Sequence, residues 1–201
     1  MEFKNIKVYG LKESIIRSSY PMQVGEPEDL DSDMEFLDEL ITEQDFKRAF
    51  KLSSVPIGSG HDTWLKGVII QFDIRYPEYF TPQLQRYHWI DIVSSQSKMH
   101  KIMSRHLNKN DFVRPINENW IDILNEMIDN KQFEDVINCL PSGYMKWMAI
   151  SSNYLQMKTI WNQRCKHKHK LKEWAEFGDF IKSLPMSELI TSKINQDENK
   201  N

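Results

Sequence analysis

The ten residues from 67 to 76 constrain the fold of this chain more than any other stretch. Val68, Ile70, Phe72, Ile74 and Tyr76 alternate with Ile69, Gln71, Asp73 and Arg75. A two-residue period puts the two sets on opposite faces of a β-strand, the first wholly apolar and the second mostly polar. Pro77 has no N–H to give a ladder and closes the run. Ile6-Lys7-Val8-Tyr9, ending at Gly10, reads as a shorter first strand.

Elsewhere the apolar period is helical. Phe36, Leu37, Leu40 and Ile41, then Phe46, Ala49 and Phe50, predict one or two amphipathic helices. Another is expected from near Pro82, a residue that suits a first turn, with Leu84, Tyr87 and Ile90 on one side. Trp120, Ile123, Leu124, Met127 and Ile128 mark a helix that ends at Asn130. Residues 154–165 and 171–184 read as two more, the second with Trp174, Phe177, Phe180 and Ile181 at helical spacing. The acidic, Pro-containing stretch 25–35 reads as a solvated loop before a helix cap. The chain is therefore mixed α/β with helices dominating its C-terminal half. Residues 1–190 are expected to form one domain, and 191–201 a polar, disordered tail.

Composition narrows the function classes. With 201 residues, 40% of them hydrophobic, the chain has enough for one ordinary core and is short for two domains. Lys+Arg 26 against Asp+Glu 29 gives a formal net charge of -3, which argues against a nucleic-acid partner. A local anion site remains compatible with that balance. No apolar run approaches the roughly 20 residues of a bilayer span, so no membrane partner is expected. Met1-Glu2-Phe3-Lys4-Asn5 does not read as the start of a leader, and the expected location is cytoplasmic. Cys139 and Cys165 are too few for a disulfide framework or a Cys-rich zinc site, and both are expected as reduced thiols.

Three constellations carry chemistry. Gly58-Ser59-Gly60-His61-Asp62-Thr63 turns sharply and can expose amides to an anion or a cofactor edge, although taken alone it is a structural turn. It lacks the Lys-Ser/Thr of a Walker loop. In Gln83-Leu84-Gln85-Arg86-Tyr87-His88-Trp89, a guanidinium stands beside planar rings, as suits a phosphate next to a stacked base. Ser94-Ser95-Gln96-Ser97-Lys98-Met99-His100 adds neutral donors, without the Gly-x-Ser-x-Gly elbow of a serine hydrolase. Arg164-Cys165-Lys166-His167-Lys168-His169-Lys170 is rich in cations. Its lysines oppose a divalent ion, so no metal is expected, and a solvated helix end or a phosphate site remain open.

Taken in order, these pieces resemble the flavin-dependent thymidylate synthase family (ThyX). Gly60-His61-Asp62-Thr63 is similar to that family's Gly-His-Glu-Thr-like turn ahead of a strand. Arg86-Tyr87-His88 stands where the family has Arg-His-Arg, and Ser97-Lys98-Met99-His100 where it has Ser-x-Arg-Tyr. Leu140-Pro141, Asn153 and Arg164 follow in the family's order, and Ile15-Ile16-Arg17-Ser18-Ser19 resembles its early Ala-Ala-Arg-x-Ser. The likeness spans about residues 10–185 and lies in order and spacing. It implies an α+β fold, a single ThyX-like domain with a central, mainly antiparallel sheet flanked by helices.

It also implies an enzyme that methylates or otherwise modifies C5 of dUMP, with reduced FAD as cofactor and NADPH and methylenetetrahydrofolate as co-substrates. Ser97 and Arg164 would be catalytic. Gln83, Arg86, Ser97 and Arg164 would bind the pyrimidine nucleotide. Thr63, Arg86, Tyr87, His88, Asn153 and Lys168 would bind the flavin. A homo-oligomer, a homotetramer in the family, is implied as well. The chain departs from the pattern at Tyr87 and His88 in the triplet, at Met99 for the signature Arg, by one extra residue between Arg86 and Ser97, and at Lys66-Gly67 for a Glu-His after the turn. Each lost cation removes a charge-assisted hydrogen bond of about 1.5–3 kcal/mol. The alternative is accordingly a catalytically inactive ThyX-like protein that sequesters or regulates a pyrimidine nucleotide.

Overall fold

The structure, a computed structural model, describes residues 1–27, 30, 41–167 and 169–192. Four strands form an antiparallel sheet: β1 (Glu2–Tyr9), β2 (Ile69–Pro77), β3 (Asp91–Ser95) and β4 (Met145–Asn153), in the order β1-β2-β4-β3. The fold is the expected α+β arrangement. β2 follows its sequence pattern, with Ile70, Phe72, Ile74 and Tyr76 at 0–2% exposure while Ile69 and Gln71 face outward. β3 and β4 were not predicted. All five residues of β3 are exposed, so no buried face stamps a period on its sequence. In β4 only Met148 and Ile150 mark the apolar face before Ser151-Ser152-Asn153.

The chain divides into two compact units. Unit 1 comprises Met1–Asn5 and Phe72–Ile150. Its helical core joins Ile121, Leu124 and Ile128 of the Glu118–Asp129 helix to Val136, Ile102, Leu107 and Phe112. That helix begins where Asn117 accepts the Asn119 N–H at 3.0 Å, and ends at Asn130 as the sequence predicts. Its buried stripe is rotated from the predicted one, and Trp120 and Ile123 are exposed. The helix expected from Pro82 runs only over Thr81–Leu84. Beyond it, successive turns link Tyr87 N–H to Leu84 C=O and Ile90 N–H to Tyr87 C=O. A three-residue spacing is met as well by such turns as by a helix, and Leu84, Tyr87 and Ile90 are all buried.

Unit 2 comprises Ile6–Gln71 and Ser151–Asn201. Its core is built from Ile15 and Ile16 of the Leu11–Arg17 helix, Tyr154, Met157 and Ile160 of the Tyr154–Ile160 helix, and Trp174, Phe177, Phe180 and Ile181 of the Glu173–Lys182 helix. The last of these buries the residues its sequence period selects. The Glu43–Ser53 helix starts in a capping box: Thr42 Oγ1 accepts from the Asp45 N–H, and the Asp45 carboxylate accepts from the Thr42 N–H. It buries Ala49, whereas Phe46 and Phe50 are exposed. Phe36, Leu37, Leu40, most of the acidic stretch 25–35 and the tail from 193 lie outside the described residues.

The segment predicted as one helix over 154–165 changes pitch. After Ile160 it continues as a π-turn, Trp161–Cys165, closed by the Lys166 N–H on the Trp161 carbonyl at 2.8 Å. No helix among the described residues is long and apolar enough to cross a membrane.

Candidate functional site

Unit 1 holds a polar cleft of about 450 Å³. Lys4, Arg75, Lys98, Lys101, Arg105 and Lys146 line it, against the carboxylates of Glu2 and Asp111. β2 supplies Arg75 from its outward face, and β4 supplies Lys146 and Trp147. Some of the cations are neutralised. Arg75 pairs with Glu2 at 2.7 Å and donates to the Asn110 carbonyl, Arg105 grips Asp111, and Lys98 lies 2.6 Å from Glu78. Lys4 rests 5.0 Å from the Trp147 ring centroid and Lys146 lies 5.7 Å from that of Tyr76. Lys4, Lys101 and Lys146 have no carboxylate partner among the described residues, so the cleft carries a net positive charge suited to an anion.

Ser97 stands in this cleft at the start of the short Lys98–Lys101 helix, its Oγ 2.9 Å from His100 Nδ1. The described residues place no carboxylate against the imidazole, and so do not complete a hydrolytic triad. Gln96 fixes the segment to β4 twice. Its N–H donates to the Trp147 carbonyl at 2.9 Å, and its side-chain oxygen accepts from the Trp147 N–H at 3.0 Å.

Charge sets the titration of this wall. Burial alone would raise the Asp111 carboxyl, but hydrogen bonds from Arg105 and the Asn108 N–H override it and hold the group below its ordinary range. Glu2 is likewise lowered, chiefly by its hydrogen bond from Arg75. Burial, with the Asp111 charge behind it, pushes the Tyr144 hydroxyl up.

The other sequence-selected residues of unit 1 are not in this cleft. Gln83 is half-buried in the Thr81–Leu84 helix, and Arg86 is exposed on the turn that follows. Tyr87 is buried, while exposed His88 stacks edge-on with Trp89 at 4.7 Å. The cleft's cations come from segments dispersed from residue 4 to residue 146. No local spacing marks such a set in the sequence.

Unit 2 has a second, more apolar pocket of about 710 Å³. The Gly60-His61-Asp62-Thr63 turn forms one wall, with Thr63 Oγ1 donating to the Gly60 carbonyl at 2.7 Å. Trp64 follows in the Thr63–Gly67 3₁₀ turn, and Ser14 and Arg17 come from the Leu11–Arg17 helix. Beneath the turn, the Lys158 ammonium lies 2.7 Å from Asp62 and 2.9 Å from the Val55 carbonyl. This buried pair anchors the turn, and a Lys inside an apolar helix period gave no signal of it. Two buried donors on the pocket wall, Ser14 Oγ and Trp64 Nε1, have no hydrogen-bond partner among the described residues. Each costs about 1–3 kcal/mol if left so. Those two groups beside an apolar wall suit a flat ligand with a polar edge.

Asn153 and Arg164 are not in that pocket. Asn153 is buried, and its side-chain oxygen accepts the Gln156 N–H at 2.9 Å as the cap of the Tyr154–Ile160 helix. Arg164 rides on the π-turn, 5.6 Å from the Trp174 ring centroid and 3.3 Å from His169 Nε2. Burial pushes the neighbouring Cys165 thiol up to about 12. Lys168 lies outside the described residues. Among the described residues, no three His, Cys, Asp or Glu side chains gather to hold a metal ion.

No protein-family model matches the chain, and no curated protein matches it. Solved structures do. The flavin-dependent thymidylate synthase ThyX of Helicobacter pylori, complexed with FAD and dUMP, superposes with a TM-score of 0.63 at 15% identity, over 95% of this chain and 97% of that one. A second structure of that enzyme with FAD and dUMP gives 0.66 at 14%, with the same coverage. The UMP/dUMP methylase PolB of Streptomyces cacaoi, bound with 5-Br dUMP, gives 0.61 at 10%, over 96% of each chain. At such identities the likeness establishes the fold, which is ThyX-like along nearly the whole chain.

Proposed function

We propose that this chain binds dUMP or a closely related pyrimidine nucleotide and methylates, or otherwise modifies, its C5. The observation that carries the reading is the cationic unit 1 cleft with Ser97 on its wall, in a fold shared with structures that hold dUMP or its 5-bromo analogue. A phosphate suits Lys101, Lys146 and Lys4, which have no carboxylate partner among the described residues, and the Ser97 hydroxyl supplies a neutral donor beside them. Gln83, Arg86 and Arg164 are assigned to the nucleotide by the sequence resemblance alone. Thr63 and the unit 2 pocket are assigned to the flavin, with Arg86, Tyr87, His88, Asn153 and Lys168 as further contacts by resemblance.

When bound, reduced FAD supplies the hydride equivalent, methylenetetrahydrofolate the carbon, and NADPH the reducing power. The protein's own part is to hold the nucleotide phosphate, fix the pyrimidine and exclude water, which needs positioned donors rather than a cysteine nucleophile. A homo-oligomer, tetrameric by resemblance, accords with the exposed β3 edge and its outward Ile92 and Val93.

The second reading is an inactive nucleotide-binding module. Tyr87 is 7% exposed and packs into the core, and Met99 stands exposed in place of the signature Arg. The test is an absorbance scan of the purified protein after incubation with FAD and gel filtration, repeated with dUMP. Retained flavin bands that shift with dUMP support the enzyme. A colourless protein that still binds dUMP supports the module.

A further inference from the structure

We propose that the unit 2 pocket receives a fused planar heteroaromatic ring by its pyrimidine-type edge, with Ser14 Oγ and Trp64 Nε1 as its buried hydrogen-bond partners. The inference rests on the reading above and adds residues that the sequence resemblance does not select.

Ser14 is 2% exposed, yet its hydroxyl has no partner among the described residues, and neither has the buried Trp64 N–H. Both line the same pocket. Of the other polar groups of that wall, Thr63 Oγ1 donates to Gly60, and Arg48 contacts Asp45, Ser18 and the Ile15 carbonyl. An indole N–H only donates, whereas a hydroxyl both donates and accepts. The complementary ligand edge therefore offers at least one acceptor to Trp64 and either kind of group to Ser14. The carbonyl and ring N–H edge shared by isoalloxazines and pteridines has this chemistry. Tyr20, Met22 and Leu52 provide apolar surface for the ring, and exposed Arg17 offers a cation to an anionic tail.

Gly67 keeps the hydroxyl reachable. A Cβ at this position would lie 2.5 Å from Ser14 Oγ, so a side chain there forces the hydroxyl out of its present position. This is one of the positions at which the sequence departs from the ThyX pattern, with Gly in place of His. The departure gives this chain room where the pattern has a ring.

The test is equilibrium binding of FAD and, separately, folic acid to the full-length protein and to Ser14→Ala, Trp64→Phe and Gly67→Ala, with thermal melts of each unliganded variant and dUMP titrated in parallel. The proposal expects at least one ring compound to bind. It expects Ser14→Ala and Trp64→Phe each to weaken that binding tenfold or more. The unliganded Ser14→Ala protein should melt no lower than the parent, because it loses only a hydroxyl that has no partner among the described residues. Tighter response to FAD than to folic acid assigns the site to flavin, and the reverse assigns it to a pterin. Failure of both compounds to bind the parent, or equal binding by parent, Ser14→Ala and Trp64→Phe, overturns it. In the latter case dUMP binding by the parent leaves the nucleotide reading standing while this inference falls.

Discussion

The Lys158 Nζ lies 2.7 Å from the Asp62 carboxylate, with both side chains at 1–2% exposure, although the two residues are 96 positions apart. The ammonium also donates to the Val55 carbonyl at 2.9 Å. The pair ties the Tyr154–Ile160 helix to the turn that carries His61 and Thr63, so one wall of the unit 2 pocket is fixed by charge.

Breaking one side of such a pair strands the other charge in the core, a loss of about 3–5 kcal/mol. Lys158→Met is therefore expected to lower stability by that order in urea unfolding. The double variant Lys158→Met/Asp62→Leu, which removes both charges, should recover most of the loss. A single variant within about 1 kcal/mol of the parent would show that the pair does not hold the turn.

The Asp111 carboxyl is held below its ordinary range when folded, against about 3.9 in an unfolded chain. The unfolded state thus binds more protons over that interval. The stabilisation is complete above about pH 4 and disappears as pH falls through the lower folded value. Asp111→Asn should accordingly be less stable than the parent at pH 7, and the gap should narrow in acid. A gap that widens below pH 4 would contradict the Arg105–Asp111 pairing.

Gly178 sits inside the Glu173–Lys182 helix, where Ala would ordinarily gain about 1 kcal/mol. Here a Cβ would stand 3.0 Å from Cys165 Cβ and 3.5 Å from the Trp161 ring. Cys165 would have to give by a few tenths of an ångström with the Trp161 ring packed alongside, so Gly178→Ala is expected to lower the melting temperature. A rise of several degrees would show that this packing is looser than the structure has it.

The same packing governs Cys165. With the thiol pushed up to about 12 by burial, its thiolate is scarce at pH 8. Iodoacetamide should label it slowly in the native protein and rapidly in guanidinium, followed by peptide mass spectrometry. Equal rates in both would place the thiol at the surface.

The elements legible in the sequence are those with one buried face. β2 shows its alternation because Ile70, Phe72, Ile74 and Tyr76 are each buried, and the Glu173–Lys182 helix shows its period for the same reason. The exposed edge strand β3 has no such contrast, and the π-turn at Trp161–Cys165 keeps an apolar pattern that any helix would show. At the site, Ser97 was selected by its signature and stands in the cationic cleft. Lys4, Arg75 and Lys146 carry no local signal, since the sheet gathers them from three separate strands. The Ser14 and Trp64 donors carry no motif, and only their lack of a partner among the described residues singles them out.

Calorimetric titration of dUMP into the parent, Ser97→Ala and Lys101→Ala proteins tests the central claim most directly. The account predicts saturable binding by the parent, weakened about tenfold or more by each substitution, as the loss of a hydrogen bond to a charged phosphate requires. Heats that show no dUMP binding to the folded parent, or the same affinity in all three proteins, would contradict it.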